Sequence, residues 1–89
     1  MLKLIDFYSE RCPPCQMLKP ILEDVTSGFG DRLEFEKVDV DTYPERATES
    51  GIMSIPTLVL IKDDQEVDRK VGLVRKEELT SWLEDHLGD

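Results

Sequence analysis

The sequence predicts an α/β fold: a four-stranded mixed sheet flanked by three helices, in the order β-α-β-α-β-β-α. Three observations carry this. Short apolar runs alternate along the chain with stripes at helical spacing. The runs "LKLIDFY" and "PTLVLIK" are nearly continuous in apolar residues, as strands buried on both faces are. The last two strands are separated only by "DDQ", so they pair as a hairpin.

Leu2–Tyr8 is the first strand. Pro13–Ser27 follows as a helix, with Met17, Leu18, Ile21, Leu22 and Val25 along one face. Met17 is assigned to the core with them. Pro20 falls inside this helix, where a kink is expected, and Gly28 and Gly30 should break it. Arg32–Val40 alternates and reads as a second strand. Tyr43–Ser50 is a short helix stopped by Gly51. Pro56–Lys62 is the third strand, Asp63–Gln65 a turn, and Glu66–Val71 the fourth strand, ended by Gly72. Glu77–Leu87 is the last helix, with Leu79, Trp82, Leu83 and Leu87 on its apolar face. Trp82 is read as core. The acidic residues Glu77, Glu78, Glu84 and Asp85 read as a solvated face, and His86 as a favourable charge at a helix C-terminus.

The totals bound the function. Eighty-nine residues, 1–89, make a single domain with one small core. The net charge is −9, from 11 basic and 20 acidic residues. That argues against nucleic acid and anionic membranes as partners, since both need basic patches. No apolar run approaches the roughly 18 residues of a membrane span. Met1 runs straight into a strand with no signal-peptide pattern, so the expected location is the cytoplasm. A monomer is expected.

The only two cysteines, Cys12 and Cys15, lie in "RCPPC", where the first strand gives way to the first helix. A bridge between them closes too short a loop to stabilise much through chain entropy. Their value is reactivity or metal. Cys12 falls at the N-cap, facing free backbone N–H groups and the positive end of the helix dipole. Both favour thiolate and lower its pKa below the free value of about 8.5. Pro13 suits the first helical position. Cys15 lies one turn in, within bridging reach and less exposed. This suits dithiol exchange, with Cys12 attacking a disulfide and Cys15 resolving the mixed disulfide. The alternative is half of a zinc site, which needs about four ligands. Only the distant His86 could add one within the chain. A C-x-x-C beside a βαβ pattern favours redox.

Asp6 interrupts an apolar strand, where a lone carboxylate is costly and its pKa should rise. It reads as a proton acceptor for Cys15, through water, or else as a strand-end Asp reaching solvent. Pro56 marks the entry to the third strand, and an Ile55–Pro56 bond can be cis.

Nearly the whole chain resembles the thioredoxin family. "IDFYSERCPPC" resembles its strand and active-site loop, and "KVDVD" its next strand. "GIMSIPTLVLIK" resembles the segment with its cis-proline, and "KVGLVRKEEL" its final glycine and helix. The family's first strand and helix have no counterpart, which implies a trimmed version. The resemblance implies that Asp6 is the buried acid serving Cys15 and that Lys37 approaches and tunes it. Otherwise Lys37 is a surface lysine with its stem over the sheet. It implies a cis Pro56 against the disulfide, leaving the backbone at Ile55 free to pair with an extended substrate. Gly72 would give the substrate close access to that groove, or is simply a turn glycine. Met53 could line the groove too.

Four departures stand out: Arg11 replaces the family's Trp, Pro13 its Gly, Arg75 its capping Ser, and Tyr8 an aromatic that is often Trp. Arg11, Pro13 and Pro14 should therefore shape both substrate choice and redox potential. Arg11 is expected to stabilise the thiolate, and Pro13 to remove one of its backbone donors.

The expected function is a thiol–disulfide oxidoreductase that reduces protein disulfides, with no bound cofactor and no metal. Its partners would be disulfide-containing proteins and a separate reductase resembling thioredoxin reductase. No Gly-rich turn follows a strand to hold a nicotinamide. The alternatives are an oxidase, an isomerase or a glutathione-linked glutaredoxin-like variant. From another class comes a non-catalytic interaction or metal-binding module of the same fold.

Overall fold

The computed structural model describes residues 1–88. Its elements are β1 (Leu2–Tyr8), α1 (Pro13–Phe29), a 3-10 turn (Gly30–Arg32), β2 (Leu33–Asp39), α2 (Pro44–Glu49), β3 (Thr57–Lys62), β4 (Gln65–Val71) and α3 (Lys76–Leu87). The sheet order is β2-β1-β3-β4. β1 runs parallel to β2, and β3 is antiparallel to both β1 and β4.

Alternation along the two central strands sorts the core into two layers. Leu2, Leu4, Leu58 and Leu60 face α1 and α3, where Leu18, Leu22, Leu79, Trp82 and Leu83 complete the larger cluster. Ile5, Phe7, Val38 and Val59 form the smaller cluster on the other face, covered by Val40 and Ile52 around α2. The edge strand β4 carries Glu66, Asp68, Arg69 and Lys70, charges that discourage pairing with another chain.

Several boundaries differ from expectation. α1 runs through Gly28 to Phe29, because burying the Phe29 ring outweighs one glycine in the last turn. Gly30, at φ +56°, then ends it. The core stripe of α1 is Cys15, Leu18, Leu22, Val25 and Phe29. Met17 lies about 100° away from Leu18 on the helix and is 59% exposed, so it is not a core residue. The hairpin turn is Asp63 and Asp64 alone, both at positive φ, and Gln65 already pairs with Lys62. Trp82 is buried, and its indole N–H donates to Asp68 at 2.8 Å. His86 Nε2 meets the same carboxylate at 3.1 Å, tying α3 to β4. Arg75 caps α3 without a side-chain hydrogen bond.

Candidate active site

β1 delivers the chain to a turn, and the turn starts α1. The Cys12 N–H donates to the Ser9 carbonyl at 3.2 Å, closing that turn. Cys12 is the N-cap in extended conformation, and its Sγ accepts the Cys15 N–H at 3.2 Å. Cys12 and Cys15 are joined as a disulfide, with their Cα atoms 5.2 Å apart. Cys12 is half-buried, whereas Cys15 is only 5% exposed on the core side of the helix. An N-cap side chain accepts from the second or third helical residue. Those are Pro14 and Cys15 here, so the donor lost at this site is that of Pro14 rather than Pro13.

The opposite wall is the entry to β3. The Ile55–Pro56 peptide is cis, Pro56 is buried, and the Ile55 carbonyl oxygen lies 3.9 Å from Cys12 Sγ. The Gly72 N–H donates to the Pro56 carbonyl at 2.8 Å. Gly72 has φ +94°, and the space a side chain would occupy there is open. Beside Ile55 a shallow apolar cavity of about 230 Å³ is lined by Val40, Ala47, Ile52, Met53 and Ser54. Met53 is 95% exposed at its rim.

Asp6 is 3% exposed, on the face of β1 that Leu4 shares and α1 covers. Its Oδ1 is buried without a hydrogen-bond partner. Burial pushes its pKa up to about 6, against the opposing pull of Lys37. Lys37 stands opposite it in register on β2. The Lys37 side chain is exposed, and its ammonium lies 4.6 Å above the Tyr8 ring. Desolvation outweighs the lysine because the lysine keeps its own water.

Ser9 and Asp41 belong to the site without having stood out in the sequence. Ser9 Oγ donates to Asp41 Oδ2 at 2.5 Å and accepts the Arg11 N–H at 3.2 Å. The Arg11 guanidinium reaches Asp41 Oδ1 at 3.2 Å, so it is engaged by a carboxylate instead of being free to serve the thiolate. Hydrogen bonds from Ser9 and then Arg11 hold the Asp41 pKa below its ordinary value. Ser9 offered only a local turn preference as a signal. Its partner lies 32 residues away. Among the described residues, no cluster of three or more His, Cys, Asp or Glu side chains is placed to hold a metal ion. Nor is any described helix long and apolar enough to cross a membrane.

A cysteine pair capping a helix, beside a cis-proline at the mouth of a mixed sheet, defines a thiol–disulfide exchange protein. The comparisons with known proteins agree. The family model described as Thioredoxin matches residues 1–85. Thioredoxins of Staphylococcus haemolyticus (strain JCSC1435) and Staphylococcus aureus (strain N315) are each 41% identical over 85 residues, covering 96% of this chain and 82% of theirs. The solved structure of a mutant thioredoxin from Halobacterium salinarum NRC-1 superposes with a TM-score of 0.86 at 36% identity, over 97% of this chain and 74% of that one. The chain belongs to the thioredoxin family. It is a C-x-x-C thiol–disulfide oxidoreductase of the protein-disulfide reductase type.

Proposed function

We propose that Cys12 is the nucleophile and Cys15 the resolving thiol of a single-domain, monomeric reductase working in the cytoplasm. The observation that carries this is the asymmetry of the pair. Cys12 is partly open at a helix N-terminus and already accepts a backbone N–H, while Cys15 is buried one turn in. In the reduced protein the Cys12 thiolate attacks one sulfur of a substrate disulfide. A Cys12–substrate bond forms, the substrate S–S bond breaks, and the other substrate sulfur leaves as a thiolate. Cys15 gives up its proton and attacks Cys12 Sγ. The mixed disulfide breaks, and the second substrate thiol leaves. Two electrons pass from the dithiol to the substrate, and a separate reductase restores them.

Asp6 is the acceptor for the Cys15 proton. A pKa near 6 suits that task at neutral pH, and Lys37 keeps it from rising further. The entry to β3 presents the Ile55 backbone to an extended substrate segment, with Gly72 leaving the far side open. Pro13 and Pro14 stiffen the loop between the thiols.

Cys12→Ser should abolish turnover, and Cys15→Ser should accumulate mixed disulfides with substrate proteins. Iodoacetamide at neutral pH should label Cys12 of the reduced protein first. Faster labelling of Cys15 would reverse the assignment. Equilibration against glutathione tests the direction of flow: a strongly reducing potential supports a reductase, and a value above the glutathione pool an oxidant or isomerase.

A further inference from the structure

Ser9 is a buried hydroxyl, 4% exposed, at the base of the turn that carries Cys12. Its hydroxyl and its carbonyl each make two hydrogen bonds. The carbonyl accepts from the Cys12 N–H at 3.2 Å and from Gln16 Nε2 at 3.3 Å. The hydroxyl accepts from the Arg11 N–H at 3.2 Å and donates to Asp41 at 2.5 Å. Asp41 is itself held, since its N–H donates to Asp39 Oδ1 at 2.9 Å. One residue earlier, the Val40 N–H donates to the Tyr8 carbonyl at 2.9 Å. The loops leaving β1 and β2 are thus knitted together immediately before the nucleophile.

We propose that Ser9 and Asp41 are positioning residues for thiol exchange, locking the turn that presents Cys12 to the loop after β2. The proposal rests on Cys12 being the nucleophile. A short hydrogen bond from a buried hydroxyl to an ionised carboxylate is of the strong, charge-assisted kind. The Arg11–Asp41 ion pair is the lesser member, because the Arg11 side chain is 83% exposed and water screens it. With the lock in place, Cys12 Sγ stays at the Cys15 N–H, where its thiolate is stabilised. With the lock removed, the turn slackens and the sulfur loses part of that donor. A misplacement of about 1 Å at a reacting atom can cost about a hundredfold in rate, and a partial slackening correspondingly less.

The test uses the full chain, with kcat/KM for insulin disulfides and the pH midpoint of Cys12 alkylation as readouts. Ser9→Ala should lower kcat/KM about tenfold and move the alkylation midpoint to higher pH. Ser9→Thr, which keeps the hydroxyl, should restore both. Asp41→Ala should cost a similar factor, and the Ser9→Ala/Asp41→Ala double variant should lose no more than either alone. Arg11→Ala should cost about twofold or less. The midpoint is read on Ser9→Ala because Asp41→Ala also deletes a charge. Should Ser9→Ala not fold, Asp41→Ala and Asp41→Asn, changed at an exposed position, carry the rate test. The proposal is overturned if folded Ser9→Ala keeps the wild-type midpoint and rate, or if the two losses multiply in the double variant. If the unmodified protein alkylates at Cys15 first, it is the nucleophile assignment that fails instead.

Discussion

The buried carboxyl of Asp6 works against folding once it ionises. Its pKa in the folded chain is about 6, above the ordinary 3.8, because burial outweighs the attraction of Lys37. A raised carboxyl favours folding only while protonated. Its contribution is complete below about pH 3.8 and is lost as pH rises through about 6. Asp6→Asn should therefore raise stability at pH 7 by about 1–3 kcal/mol and change little at about pH 4. Urea titration at the two pH values measures this. The same variant should slow resolution of the mixed disulfide more than the first attack at neutral pH, read by stopped-flow. A variant that loses stability at pH 7 and keeps its full resolution rate would remove Asp6 from the mechanism. Asp6 could be read from sequence, since a carboxylate in an apolar strand is locally conspicuous. Ser9 could not, because its task depends on a carboxylate two elements away.

Among the elements, Glu36 joins three at once. Lys3 of β1 reaches its Oε1 at 2.9 Å, and Arg46 of α2 reaches its Oε2 at 2.9 Å and its Oε1 at 3.3 Å. Those bonds, Arg46 first and Lys3 second, hold its pKa down to about 2. A depressed carboxyl stabilises the fold above its unfolded value of 4.5 and ceases to as pH falls through about 2. The side chain is 31% exposed, so the effect lies between that of a screened surface pair and a buried charged hydrogen bond. Glu36→Gln should cost about 1–2 kcal/mol at pH 7. The cost should shrink to less than half at about pH 3, by chemical denaturation at each pH. An equal cost at both would show that packing, not charge, holds α2. This six-residue helix has no side-chain cap and buries none of its residues fully, so it needs that tie. Elements were legible where a hydrophobic period decides them, as in β1, whose bounds agree at both ends. They were less legible where packing overrides a local rule. Gly28 stays helical because the next residue is a buried ring, and Met17 turns outward because the stripe is centred on Leu18. Pro56 and Gly72 look like ordinary strand and turn residues taken singly. Only the sheet brings them together, next to the Ile55 carbonyl that meets Cys12.

For the molecule as a whole, the governing quantity is a charge of −9 within a radius of gyration of 12.2 Å. At physiological salt the Debye length is about 8 Å, so little of that field extends beyond the surface. At about 10 mM salt it is about 30 Å, comparable to the molecule's longest extent of 33 Å. At the entrance itself Arg11 and Asp41 neutralise one another beside Cys12. Steering of substrates should then come from the global charge, not from the site. Basic disulfide proteins should be drawn in at low salt and acidic ones held off. The ratio of kcat/KM for a basic over an acidic protein disulfide should fall by about tenfold between about 10 and 300 mM sodium chloride. An uncharged small disulfide, such as hydroxyethyl disulfide, should react at the same rate throughout, because it feels neither field. If its rate moved in parallel with the proteins', salt would be acting on the thiols themselves. If the ratio held constant while the small disulfide did too, the acidic surface would have no part in selecting substrates, and its role would be confined to solubility.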